Sequence, residues 1–426
     1  MHVYFSGIGG TAIGPLALIA KSLGYTVSGS DKQDSQYIEY LRTHGITDIV
    51  IDQSRDAIAA AHARQPIDWL VYTSALTIEN PSAPEIQFCQ ANGIKTSKRD
   101  ELLNVILERQ HLKLLAVAGT HGKSTTTAML IWLLKQLGVP IGYNVGAKIS
   151  YGDMGEIAPG AQYFVYECDE FDRNFLHFKP YISILSGVSW DHHEIFPTRE
   201  SYQQAFRDFI AQSEQTILWQ EDATYLGVGN GLLVLQDEPP GLSLAGEFNR
   251  RDAWLAMRTA QQLGDWSLDQ LLEIMNRFPG LQRRMELLTP GLYSDYAHTP
   301  EKIRGAMSTA LEMAGPDKRV VVLYEPLTDR RQHHMKDDYK DCFSGAAKVY
   351  WLPSYLAREN PNVAILTPQE LITHLADPSI AQPAAMGPDL QQTISRHLAA
   401  GDFVVGIAGG GGGSLDEWLR QEFTGK

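Results

Sequence analysis

The chain has 426 residues, of which 44% are hydrophobic and 20% charged, and a formal net charge of −14. That length exceeds what one core supports, so roughly two to four domains of an ordinary globular enzyme are expected. The acidic balance, with no basic tract to offset it, speaks against a nucleic-acid partner, and apolar runs of about 10 residues are too short for membrane insertion. Cys89, Cys168 and Cys342 are odd in number and widely spaced, which implies neither a disulfide framework nor a CxxC metal site. No charged leader or cleavage site precedes the first strand, so a cytoplasmic protein is expected. An anionic nucleotide would rely on local positive sites, for which Lys123, Arg283-Arg284 and Arg330-Arg331 are candidates.

Residues 2–8 read as a strand that runs into Gly7-Ile8-Gly9-Gly10-Thr11-Ala12 and then an apolar helix to Leu23. A second strand ends on Asp31. Gly-x-Gly-x-x-Ala with an acidic residue about 20 positions on is the dinucleotide fingerprint, so a nicotinamide-dependent oxidoreductase is one reading of this region. Helices near 35–44 and 55–64 and a strand at 48–51 follow. The strand DWLVYTSAL places Thr73-Ser74-Ala75 at its C-terminal edge, where open α/β sheets bind ligands. A Pro-rich loop (IENPSAPEI) caps the next helix, and a further strand and helix lead to the polar boundary 108–113.

Leu114–Ala118 read as a buried strand, broken at Gly119-Thr120-His121-Gly122. Lys123-Ser124-Thr125 then open an apolar-periodic helix. Strand, glycine turn, Lys-Ser and helix together make a phosphate cradle. The helix N-terminus favours negative charge, Lys123 adds a full positive one, and Ser124 can ligate Mg²⁺. Val117 stands where the common P-loop has its first glycine, so this is a variant form. Residues 144–160 read as a glycine-rich loop region. The strand YFVYE ends on Glu167, Asp169, Glu170 and Asp172, four carboxylates whose oxygens suit Mg²⁺ beside a nucleotide. Another buried strand carries Asp191-His192 at its tip, with His193 read as a surface residue.

A helix at 198–212 carries Tyr202, Phe206, Phe209 and Ile210, and 213–245 reads as a short run of strands. Beyond it lie Gly246-Glu247-Phe248-Asn249-Arg250-Arg251-Asp252-Ala253, the segment ending in Arg283-Arg284, and Asp295-Tyr-Ala-His298-Thr-Pro300. The rest alternates: helix 301–314, strand RVVVLYEP, a helix from about 337, strands KVYWL and VAILT, helices 368–375 and 388–399, and strand DFVVGIAG. Gly409–Gly413 precede the last helix and read as a mobile, anion-facing loop.

The order SGSD, GTHGKST, E-x-D-E, D-H, R-R, DYAHTP resembles the Mur ligases, with the cradle also similar to that of folylpolyglutamate synthetases. The resemblance spans nearly the whole chain and is closest to the branch that adds L-alanine to UDP-N-acetylmuramate. It implies three α/β domains: a Rossmann-like UDP-substrate domain (1–109), a P-loop ATPase domain (110–288) and a Rossmann-like C-terminal lid (289–426). Gly7, Ile8, Gly9, Gly10, Thr11, Asp31, Thr73, Ser74 and Arg331 would then hold the UDP-substrate. ATP would meet Gly119 to Thr125, Asn249, Arg283, Asp295 and His298, with Asp295 and His298 swinging in on a loop. Lys123, Glu167 and His192 would be catalytic, and Ser124, Glu167 and His192 would hold Mg²⁺. The partners implied are UDP-N-acetylmuramate and L-alanine, in a monomer or homodimer. Several family members carry a lysine, modified by CO₂, where this chain has Phe206, and that departure fits the L-alanine-adding and tripeptide-adding branches. Alternatives at this stage are a tripeptide-adding recycling ligase, the oxidoreductase, and a catalytically weak nucleotide-binding protein motivated by Phe248 and Asp252, which depart from the family's His and Asn.

Overall fold

The apolar runs between glycine-punctuated loops become strands, and the strands sort into three largely parallel sheets. In the computed structural model, all residues are described except Pro81, His193, Glu194, 357–358, 360–362 and 425–426. The surface reading of His193, and the Pro81 portion of the Pro-rich loop, lie outside the described residues. The first sheet contains β1 (His2–Ser6), β2 (Thr26–Ser30), β3 (Ile49–Val50), β4 (Trp69–Tyr72) and β5 (Lys95–Lys98), in the order β3-β2-β1-β4-β5. All its pairings are parallel. Strand order reverses beside β1, so the crevice for a ligand lies beyond the C-terminal ends of β1 and β4.

The second sheet contains β6 (Lys113–Ala118), β7 (Ile141–Asn144), β8 (Gly155–Ile157), β9 (Tyr163–Glu167), β10 (Ile182–Leu185), β11 (Gln215–Trp219) and β12 (Leu233–Leu235). Its order is β12-β11-β10-β6-β9-β7-β8, with β8 antiparallel to β7. β6 therefore lies between β10 and β9, and the three segments with charged motifs leave the sheet side by side. β6 and β10 are buried at nearly every position, as a parallel sheet covered on both faces requires. The helix Lys123–Gln136 follows β6, its Met129, Leu130, Leu133 and Leu134 buried.

These two sheets form one compact unit, Met1–Leu242 with Arg251–Phe278. They share a hydrophobic core that includes Val3 and Phe5 from β1, Ala116 from β6 and Phe164 from β9. The second unit, Ser243–Arg250 with Pro279–Lys426, holds the third sheet. Its strands are β13 (Glu286–Thr289), β14 (Leu292–Asp295), β15 (Val320–Glu325), β16 (Lys348–Trp351), β17 (Ala381–Pro383) and β18 (Phe403–Ala408), ordered β13-β14-β18-β15-β16-β17. Tyr324, Tyr339, Phe343 and Trp351 pack edge to face beneath it.

Four expectations need correction. The run 213–245 is interrupted by a helix, Gln220–Leu226, which begins on acidic residues and stops on left-handed Gly227. Residues 144–160 include β8 rather than loop alone. The helix expected from about 337 forms earlier, at Asp329–Met335. VAILT, although β-branched, forms no strand; the sheet edge is taken by the polar β17, which pairs with β16. Edge pairing follows what tertiary neighbours leave open, and intrinsic propensity loses to it here.

Candidate active site

The turn after β6 is built by its glycines and by the segment that follows β10. Gly119 and Gly122 have φ of +141° and +75°, which favour glycine. There is no room for a side chain at either. A Cβ on Gly119 would lie 2.8 Å from Gly187 O, and one on Gly122 would lie 2.6 Å from Asp252 Oδ1. The Thr120 amide donates to Gly187 O at 2.7 Å, and Thr120 Oγ1 bonds Ser189 O at 2.6 Å and the Tyr202 hydroxyl at 2.7 Å. His121 Nε2 is 2.8 Å from Ser189 Oγ. Thr125 is buried, and the next residue, Thr126, donates through Oγ1 to Asp252 Oδ1 at 2.9 Å. The turn is therefore braced on all sides before its helix begins, and the first amides of that helix have no intrahelical acceptor.

Lys123 Nζ donates to Gly119 O at 2.6 Å and to Glu170 Oε2 at 2.7 Å. Burial opposes its charge, yet Glu170, with Asp169 and Glu167 behind it, holds its pKa above the ordinary lysine range. The converse holds for Glu170: burial disfavours the carboxylate, but Lys123 and His192 keep it well below the ordinary glutamate range. Glu170 is 1% exposed, and its Oε1 has no hydrogen-bond partner among the described residues. His192 Nε2 lies 3.6 Å from that oxygen, on a backbone held at φ +54°. Burial lowers the His192 pKa, and the neighbouring Glu170 and Asp191 more than restore it. Glu170 is thus the carboxylate that faces the lysine, a role the sequence reading did not give it.

The four carboxylates after β9 separate into different jobs, which corrects the expectation that they face one metal together. Asp172 pairs with Lys98, and Asp169 Oδ2 lies 3.5 Å from Arg99 Nη2, so both bind the strand–helix junction of the first sheet. Glu170 faces the lysine of the cradle and Glu167 its serine: Ser124 Oγ donates to Glu167 Oε1 at 2.7 Å, and the Gly146 amide to its Oε2 at 3.1 Å. Among the described residues, no group of three or more His, Cys, Asp or Glu side chains could hold a metal alone. Mg²⁺ asks less of a protein at a phosphate site: one or two carboxylates beside phosphate and water suffice. The oxygen pair Ser124 and Glu167 fits that share. His192, facing Glu170, fits a place beside it less directly.

At the first sheet's crevice the structure brings together Gly7 to Thr11, Asp31, Thr73 and Ser74. A Cβ on Gly7 would lie 3.4 Å from Thr73 Oγ1, so the two strand ends flank one space. The turn's amides are already accepted from within. Gly7 N and Ile8 N donate to Ser30 O at 2.8 and 3.0 Å, Gly10 N to Gly7 O at 3.0 Å, and Gly9 N to Asp31 Oδ2 at 2.9 Å. Asp31 holds the turn here rather than standing free for a ribose. Ile8 is fully buried, so its side chain belongs to the core, whereas Thr11 is exposed. Ser74 is buried against Asn174, whose amide lies 3.3 Å from its hydroxyl.

The other expected residues lie in the second unit. Asn249 Nδ2 donates to Ala245 O at 2.7 Å. Asp295 ends β14 and accepts from the Met285 and Ala297 amides, each at 2.9 Å. His298 is buried with Nδ1 2.9 Å from Tyr296 O. Burial, with Lys302 and Arg331 nearby, drives its pKa well below the ordinary histidine value, so it is neutral at pH 7. Arg283 departs from expectation: its Nη2 donates to Ala408 O and Gly410 O, both at 2.9 Å, and its guanidinium stacks over Tyr296. The glycine run also differs from the loop expected. A Cβ on Gly409 would lie 2.9 Å from His298 Cβ, and one on Gly410 would lie 2.7 Å from Tyr355 Cδ2. Phe206 is fully buried against Phe175 and Tyr202, as its helical spacing predicts.

Known proteins resemble this chain in sequence and in fold. The description "Mur ligase family, catalytic domain" matches residues 2–111, and "Mur ligase middle domain" matches residues 117–228. A UDP-N-acetylmuramate–L-alanine ligase of Roseiflexus sp. is 28% identical over 98% of this chain and 98% of its own. One of Renibacterium salmoninarum is 27% identical over 96% of this chain and 93% of its own. The crystal structure of the UDP-N-acetylmuramate-alanine ligase of Thermotoga maritima has the same fold, with a TM-score of 0.79 at 23% identity, covering 100% of this chain and 98% of that one. Two successive domains of one family, found in their expected order around the glycine turn and its lysine, give the identification: the chain belongs to the Mur ligase family.

Proposed function

We propose that the protein joins L-alanine to the carboxylate of UDP-N-acetylmuramate at the expense of ATP, in the synthesis of peptidoglycan precursor. The observation that carries this reading is the meeting of Lys123, Glu170, Glu167 and Ser124 at the ends of adjacent strands β6 and β9, beside a helix N-terminus. The names of the curated relatives support the choice of substrates. In the first step a carboxylate oxygen of the muramic acid attacks the γ-phosphorus of ATP, ADP leaves, and an acyl phosphate forms. The amine then attacks the acyl carbon, loses a proton, and inorganic phosphate departs with the C–O bond electrons. Lys123 offers its ammonium to the migrating phosphoryl group, and Glu170 keeps that ammonium charged and aimed. Mg²⁺ bound through Ser124 and Glu167 would neutralise phosphate charge.

In this reading the glycine turn of the first sheet receives the UDP-sugar, with Thr73 and Thr11 at the crevice. Asn249, Arg331, Asp295 and His298 serve the ligands from the second unit. Residues 1–109, 110–288 and 289–426 are the three domains, although β13 joins the third sheet slightly before residue 289. The enzyme works in the cytoplasm as a monomer or homodimer. No helix among the described residues is long and apolar enough to cross a membrane. Phosphate release with UDP-N-acetylmuramate, ATP and a panel of amines tests the proposal. Turnover with L-alanine is expected; turnover only with the L-Ala-γ-D-Glu-diaminopimelate tripeptide would move the protein to the recycling branch, and none with any amine would refute it.

A further inference from the structure

We infer that Glu85 is a positioning residue of the nucleotide-sugar site, acting on the glycine turn through the ends of two strands it does not belong to. Glu85 lies in the first turn of the helix Pro84–Ala91 and is 1% exposed. Its bonds come from two hydroxyls rather than a cation: Ser30 Oγ donates to Oε1 at 2.6 Å, and Ser6 Oγ donates to Oε2. Ser6 and Ser30, both fully buried, are register partners and the last residues of β1 and β2. Gln53 Nε2 donates to Ser6 Oγ at 3.0 Å, which leaves the serine's single proton for the carboxylate. A buried carboxylate here is costly, and burial pushes its pKa up, so so small a polar cluster calls for a reason beyond holding a sheet together.

The reason lies one bond further on. The Ser30 carbonyl accepts the Gly7 and Ile8 amides, and the next residue, Asp31, accepts the Gly9 amide. The Gly7, Ile8 and Gly9 amides of the turn are therefore referred to the end of β2, and Glu85 fixes that end from below while tying it to the end of β1. Shifting Ser30 by a few tenths of an ångström would move the whole turn against Thr73 across the crevice. The effect is selective by construction, because the P-loop turn is braced by Gly187, Ser189 and Tyr202, none of which meets this cluster.

This inference rests on the proposed function, since it takes the crevice to hold the UDP-sugar. The test is steady-state kinetics and calorimetry on the full chain with Glu85→Ala, Glu85→Gln and Ser30→Ala. Glu85→Ala should raise the KM for UDP-N-acetylmuramate about tenfold or more, with kcat and the ATP KM within about twofold. Glu85→Gln, whose carbonyl still accepts one hydroxyl, should recover most of that loss. If Glu85→Ala does not fold, Ser30→Ala, which keeps the backbone carbonyl, should raise the UDP-sugar KM alone. Equal movement of both KM values, or no movement in the soluble variants, would overturn the inference. A wild type that fails to bind the UDP-sugar in calorimetry refutes the functional reading as well; wild-type binding with an unaffected Glu85→Ala refutes the inference alone.

Discussion

The two glycine turns of the first unit, Gly7–Gly10 after β1 and Gly119–Gly122 after β6, look alike as sequence and differ as devices. In the first, the amides are accepted by Ser30, Asp31 and Gly7, and the buried acid beneath is held by hydroxyls. In the second, a lysine and a carboxylate face each other across the turn, and a second carboxylate waits beside a hydroxyl. One turn is a shaped backbone surface, suited to binding; the other concentrates charge, suited to stabilising a phosphoryl group in transfer. A glycine pattern reports close backbone approach in both places, but chemistry depends on which ionised side chains arrive from elsewhere.

That contrast can be broken most directly at Lys123. Lys123→Ala should cost at least ~10²-fold in turnover while leaving UDP-sugar affinity unchanged, because only the charged turn loses its charge. Phosphate-release assays and calorimetry would check it, and near-normal turnover would show that the second turn is not a catalytic cradle. Glu170→Gln should cost about tenfold or more in kcat, since the ammonium loses the carboxylate that holds it in place. A thermal melt would confirm that the variant is folded, and unchanged kcat would reduce Glu170 to a structural ion pair. At the first turn, Gly9→Val places a Cβ 2.8 Å from Ile38 Cγ1 and 3.0 Å from Asp31 Oδ2. It should weaken UDP-sugar binding about tenfold with little change in ATP binding, and equal loss of both would erase the distinction between the turns.

The smallest effect concerns the brace of the second turn. Asp222 accepts the Val188 amide at 2.8 Å, next to the Gly187 that holds Thr120, and burial lifts its pKa from 3.8 to about 6. A carboxyl whose pKa rises on folding stabilises the fold fully below about 3.8 and loses that contribution as pH climbs through about 6. Asp222→Asn keeps the acceptor and removes the titration. Urea unfolding should find it close to wild type at pH 4 and about 1–3 kcal/mol more stable than wild type at pH 8. A constant difference across that range would mean that Asp222 titrates alike in both states.

The sequence announced the parallel sheets and the cradle because both rest on local signals. Buried runs bounded by glycine gave β6 and β10, and Lys123-Ser124 at a helix start gave the phosphate site. What it hid depends on long-range neighbours. Glu170 and Asp172 are two positions apart, yet one meets Lys123 and the other Lys98, across a backbone kink where Asp172 and Arg173 take left-handed φ of +55° and +57°. Arg283 read as a phosphate ligand because its partners are remote in sequence: the carbonyls of Ala408 and Gly410 and the carboxylate of Asp416, 3.3 Å from its Nε. Asp31 matched the spacing of a ribose-binding acid, and spacing cannot say that its carboxylate folds back on Gly9. β17 escaped for the reason VAILT misled: an edge strand is chosen by the open edge, not by its own residues.

Five glycines in a row suggest a single hinge-like tract, but Gly409–Gly413 divide into unlike parts. Gly409 and Gly410 have no space for a side chain, and Gly413 adopts φ +74°. Gly411 and Gly412 have neither constraint: a Cβ there would meet only the Tyr355 hydroxyl at 3.4 Å and Glu417 Oε2 at 3.8 Å, both ordinary contacts. Each therefore enlarges the conformational freedom of the unfolded chain without any steric need in the folded one, a stability forgone of about 0.4–1 kcal/mol per residue. The middle of the run is a thermodynamic concession made through the denatured ensemble, set between glycines that the native packing demands.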